Sequence, residues 1–146
     1  MNEWKAEWRR DELPRLSEGG AEREAFYHEV EEVFFDWGGA WSPHAWEEMR
    51  PLLEEMVRLC RAHGAEPVWL AFPTRQQVEA SFDASQPQQH LAELASQLGA
   101  PLLDLLPVLR DLRRRSDGPI FYDQCHHTAA ASRVLARAIF ERLRQI

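Results

Sequence analysis

Two short apolar runs, "PVWLAFP" at Pro67–Pro73 and "PLLDLL" at 101–106, constrain the fold of this chain most. Each is too short for a helix and is bounded by proline, which is how a strand buried on both faces reads. Between them, "PQQHLAELASQLGA" places Leu91, Leu94, Ala95 and Leu98 on one helical face, with Pro87 near its start and Gly99 at its end. Strand, helix, strand is a βαβ unit. The predicted class is α/β, a small parallel sheet flanked by helices, in which short apolar strands must be covered on both faces.

The flanking segments supply that cover. Upstream, Trp46, Met49, Leu53, Met56 and Cys60 follow 3-4-3-4 spacing from "SPHAW" to "HGAEP". Ser42 is placed to cap this helix, Pro43 suits its first position and Gly64 its end. Pro51 should kink the helix or mark a second start, because it lacks the N–H and clashes with the preceding turn. Before it, "AEREAFYHEVEEVFFDW" reads as a helix with Phe26, Val30, Val33, Phe34 and Trp37 on one face. A last amphipathic helix spans about 129–145, with Thr128 as its cap. Tryptophans at 4, 8, 37, 41 and 46 concentrate in the amino-terminal part. Aromatics of that size anchor cores and interfaces, so they are expected to replace contacts that a wider sheet would provide.

The 146 residues read as one domain, with a helical, Trp-rich region at 1–40 and the α/β part at 41–146. A formal net charge of -7 works against nucleic-acid binding, which needs clustered Lys and Arg. The single basic run, "RDLRRR" at Arg110–Arg115, reads as a solvated helix end. No stretch approaches the ~18 apolar residues of a membrane span, and "MNEWKAEWRR" lacks the apolar core of a signal peptide, so the expectation is a cytoplasmic protein without membrane contact. Cys60 and Cys125 lie too far apart for a C-x-x-C motif, so no disulfide framework is expected.

In an open parallel sheet, ligands bind beyond the carboxyl ends of the strands. "FPTRQQ", the segment after "LLDLL", and "YDQCHHT" all emerge there. Arg75 reads as part of a solvated loop. Asp123, Cys125, His126 and His127 are donors of metal-binding type, but adjacent side chains in a turn rarely all converge on one ion, and neither metal nor cofactor is expected. Ser42 is better explained as a helix cap than as a nucleophile.

"FYDQCHHTAAASRVLARAIFERL" resembles the last sequence block of the SGNH/GDSL serine esterases and lipases, in which D-x-x-H-x-T or D-x-x-H-P-N precedes the final helix. "SPHAWEEMRPLLEEMVRLCRAHGAEPVWLAFPTRQQ" and "LGAPLLDLLPVL" resemble the segments that lead to that block. Together they cover roughly residues 42–145, the carboxyl-terminal half of a usual family domain. The resemblance implies a flavodoxin-like sheet, incomplete relative to the full family domain, and hydrolysis of esters or O-acyl groups. His126 would be the general base and Asp123 its orienting carboxylate; His127 stands where the family has proline or an aliphatic residue.

The other family blocks are absent from the chain. No serine (17, 42, 81, 85, 96, 116, 132) follows Gly-Asp, and the only asparagine is Asn2. A base without its nucleophile cannot carry out acyl transfer. Two expectations follow: a hydrolase half whose serine and oxyanion donors lie on another polypeptide or upstream segment, acting on a small ester, or an inactive assembly module. In either case a second copy or a protein partner would complete the sheet.

Overall fold

A computed structural model of the chain describes residues 20–32 and 39–146. In order, the elements are α1 (Gly20–Glu32), a 3-10 turn (Gly39–Trp41), α2 (Pro43–Ala62), β1 (Trp69–Ala71), α3 (Arg75–Glu79), α4 (Gln86–Leu98), β2 (Leu102–Asp104), α5 (Leu106–Arg115) and α6 (Ala129–Leu143). The strands pair in parallel with Trp69 opposite Leu102, Leu70 opposite Leu103 and Ala71 opposite Asp104. The α/β class is therefore observed: the described residues are mostly helical, with a two-stranded parallel sheet.

Helices cover both faces. On one, Trp69 and Leu102 pack with Leu53 and Val57 of α2, Leu91, Leu94, Ala95 and Leu98 of α4, and Ala100. The four α4 residues are those that its periodicity selects. On the other, Leu103 packs against a cluster of Leu106 and Leu109 from α5, Ile120, Phe121, and Ala131 and Leu135 from α6. Gly99 ends α4 at φ 62°, the left-handed conformation that glycine adopts without a Cβ penalty. Among the described residues β1 pairs with β2 alone, so the N–H and C=O of Leu70, directed away from β2, face an edge with no strand partner.

Several local expectations change. α2 continues through Pro51 without a second start; Pro51 and Glu47, whose carbonyl loses its partner, are both exposed to water. Its buried face overlaps the expected one in part: Leu53 packs as the spacing predicts, but Val57 joins it in place of Met49 and Met56. Val57 and Leu53 face the sheet, whereas Met49, Leu52, Met56 and Leu59 form an exposed stripe. A two-stranded sheet is too narrow to cover both stripes. Ser42 occupies the cap position, but its side chain makes no capping bond, whereas Thr128 Oγ1 accepts the Ala131 N–H at 3.4 Å as expected.

"TRQQVE" is a short helix rather than a loop. The Gln77 side chain accepts the Thr74 N–H at 3.0 Å, and Arg75 is paired rather than solvated, its Nε 2.9 Å from Glu79 Oε2. In α1, Phe26 and Tyr27 are buried. Val33, Phe34, Trp37, Trp4 and Trp8 lie outside the described residues. Trp41 and Trp46 are half-buried, with Trp46 donating its indole N–H to the Ala40 carbonyl at 2.7 Å. No helix among the described residues is long and apolar enough to cross a membrane.

Candidate functional site

Buried Ile120 and Phe121 anchor the loop that precedes α6. Thr128 N donates to Ile120 O at 2.9 Å and Tyr122 N to His126 O at 2.8 Å, which closes residues 120–128 into a tight hairpin. Asp123 lies at its tip. Its Oδ1 accepts the backbone N–H groups of Cys125 at 3.0 Å and His126 at 2.8 Å, the local bonding that makes Asp a turn residue. With one carboxylate oxygen so held, Oδ2 lies 2.7 Å from His126 Nδ1. The pairing requires the hydrogen on Nδ1, which leaves Nε2 as the free lone pair. The His126 side chain is 74% exposed, so the ring meets solvent.

The hairpin is held to the end of β1 from behind. Gln124 is buried, its carbonyl accepts the Arg75 N–H at 2.8 Å, and its amide donates to buried Gln76 of α3. The dyad is thus tied through two buried amides to the short helix that follows the first strand.

Burial, the largest influence on Asp123, pushes its carboxyl upward. The N–H groups of His126 and Cys125 and the His126 side chain outweigh it and hold the pKa below its ordinary 3.8. The Cys125 thiol is pushed up by burial and by the Asp123 charge. Its Sγ lies 3.5 Å from His126 Nδ1.

His127 is set apart from the dyad. Its half-buried ring lies 4.8 Å from that of Phe121 and 6.2 Å from that of Phe72, and its Nε2 is buried without a partner among the described residues. The carboxylate therefore selects His126. Burial, and then the charge on His126, hold the His127 pKa below its ordinary 6.5. An NMR titration of the ring protons should give a His127 midpoint below 6.5. Its contribution to stability should be complete above 6.5 and lost as the pH falls through the folded value, because the unfolded chain binds the extra proton first. A midpoint at or above 6.5 would show that the ring is hydrated.

Three of the four donors in the cluster converge. The Asp123 carboxylate, Cys125 Sγ and His126 Nδ1 offer ligand atoms within 4.8 Å of one another, while His127 packs against the two phenylalanines. No serine hydroxyl is bonded to His126 among the described residues.

Two cavities open at the carboxyl ends of the strands, where the topology predicts ligand sites. One of about 320 Å³ has Trp41, Trp46, Phe72 and Leu91 as walls and the buried amides of Gln77 and Gln88 as its polar part. The other, about 480 Å³, is bordered by Ser85, Gln89, Asp104, Arg110 and Arg114. Phe72 walls the first and neighbours the His127 ring. Sequence reasoning missed the buried glutamines; the available signal was "TRQQ" directly after an apolar strand. Compared with family models, curated proteins and solved structures, the chain has no match.

Proposed function

We propose that this is an SGNH/GDSL-like chain in which Asp123 and His126 form the base half of an ester or O-acyl hydrolysis site. The observation that carries the reading is the Nδ1 pairing: Asp123, oriented by two backbone N–H groups, fixes the imidazole tautomer and leaves Nε2 open. A base so arranged accepts the proton of a hydroxyl nucleophile and returns it to the leaving group, while the carboxylate stabilises the imidazolium. The nucleophilic serine and the oxyanion donors come from a partner polypeptide or an upstream segment, for which the edge of β1 that has no strand partner among the described residues offers a docking line. The cavity beside Phe72 suits a short acyl group, with apolar walls and amides to orient a carbonyl.

The test is hydrolysis of a short p-nitrophenyl ester by protein isolated from its source cells with whatever co-purifies. His126→Ala should lower the rate at least about 100-fold, and a serine-directed phosphonate should block it. A rate unchanged by both overturns the reading.

A second reading, an assembly module without chemistry, is favoured by the exposed stripe of Met49, Leu52, Met56 and Leu59 on α2. On that reading the same preparation turns over no ester while a partner or a second copy still co-purifies.

A further inference from the structure

We infer that the tip of the 120–128 hairpin is a binding site for a borderline-soft divalent cation of the zinc class, held by Asp123, Cys125 and His126. This site does not depend on the hydrolytic reading, since binding needs no nucleophile.

The donor set is mixed: one carboxylate, one thiolate and one imidazole, the combination that selects zinc over the hard oxygen-seeking cations. The spacing fits. Bond lengths of ~2.3 Å to sulfur and ~2.0 Å to nitrogen set the S···N edge of a tetrahedron at about 3.5 Å, and Cys125 Sγ lies 3.5 Å from His126 Nδ1. The Asp123 Oδ2 to Nδ1 distance of 2.7 Å is that of a hydrogen bond and would open by roughly half an ångström to reach the ~3.3 Å edge of the same tetrahedron.

The supporting shell is already in place. Asp123 Oδ1 is occupied by the N–H groups of Cys125 and His126, so Oδ2 is the oxygen left to bind as a single ligand. The intervening residue, Gln124, is buried and fastened to Gln76 and Arg75, which keeps the turn from opening. With His126 exposed, the fourth position lies open to water. The balance is simple. The ion takes the place of the hydrogen between Nδ1 and Oδ2, that hydrogen moves to Nε2, and the Cys125 thiol releases one proton to solvent. The dyad and the ion are therefore alternatives on the same nitrogen.

The experiment is calorimetric titration of the untagged full chain with zinc chloride, paired with cobalt absorption spectra. One ion per chain should bind, and cobalt should show a thiolate charge-transfer band. Cys125→Ser and His126→Ala should each weaken zinc at least about tenfold, and Cys125→Ser should remove the band. His127→Ala and Cys60→Ser should leave both readouts unchanged. Absence of one-to-one binding, absence of the band from the parent chain, or an affinity unmoved by Cys125→Ser overturns the proposal. So does loss of binding on replacing Cys60. All four substituted side chains are exposed or half-buried, and circular dichroism checks that each variant folds.

Discussion

Glu79→Ala should lower the unfolding free energy by about 3 kcal/mol or more, the range for removing one partner of a buried ion pair. The Glu79 side chain is 5% exposed and lies among three guanidinium groups: Arg75 at 2.9 Å, Arg113 at 3.5 Å and Arg23 at 3.8 Å. It also accepts the Tyr27 hydroxyl at 3.2 Å. Burial, followed by the Glu79 charge, pushes the Tyr27 phenol well above its ordinary range, so Tyr27 remains a donor. Arg75, at 12% exposure, would be left with an uncompensated charge, which is where most of the loss arises. Arg113 and Arg23 are more exposed and add little, since solvated pairs contribute about 1 kcal/mol or less.

Glu79→Gln keeps the volume and an acceptor for Tyr27, and should cost less than the alanine variant. Urea unfolding checks the order: the midpoint should fall furthest for Glu79→Ala with an unchanged slope. Amide exchange should accelerate first in α1, because Glu79 joins Tyr27 and Arg23 of that helix to α3 and α5. A loss below about 1 kcal/mol would mean that the surrounding charges are hydrated and that α1 is held by its apolar contacts alone.

This anchor also shows what the amino-acid pattern could not reveal. Tyr27 and Glu79 are 52 residues apart, and neither breaks a local periodicity, so nothing in either segment marks them as partners. α3 is hidden for a different reason: five residues are too few for a 3.6-residue repeat to be recognised. The strands were legible because proline bounds an apolar run of the right length, and the face of α4 because its leucines fit one stripe. On α2 two apolar stripes coexist. Periodicity selected Leu53 together with Met49 and Met56, whereas the narrow sheet takes Leu53 with Val57 and leaves both methionines exposed. The Asp123–His126 pairing was an expectation of the family resemblance, and a separation of three within a turn lets carboxylate and imidazole meet; nothing marked the back side of the same loop, where Gln124 meets Gln76. Convergence of three donors also exceeded expectation, because backbone bonds to Asp123 curl the turn more tightly than sequence adjacency implies.

The sheet itself should be most sensitive at Trp69. Its side chain fills the space between β1 and the helices α2 and α4, touching a cluster that includes Val57, Leu94, Ala95 and Ala100, and the residue is 7% exposed. Trp69→Ala should cost about 4 kcal/mol, the transfer of a large aromatic plus the cavity left behind. The indole N–H tells a separate story, because Nε1 is buried with no partner among the described residues. An unpaired buried donor costs about 1–3 kcal/mol, and a phenyl ring removes that penalty while giving up part of the packing. Trp69→Phe should therefore stay within about 1.5 kcal/mol of the parent chain, far from the alanine value. Urea unfolding monitored by circular dichroism separates the two variants without relying on the fluorophore being replaced. Equal losses for Phe and Ala would show that Trp69 acts through its N–H and not through its volume, which would locate a hydrogen-bond acceptor at β1 in solution. The expected inequality makes the strand's contribution one of volume. That volume lies beside the edge at which Leu70 has no strand partner among the described residues, so the packing that holds β1 against its helices also holds those backbone groups in place.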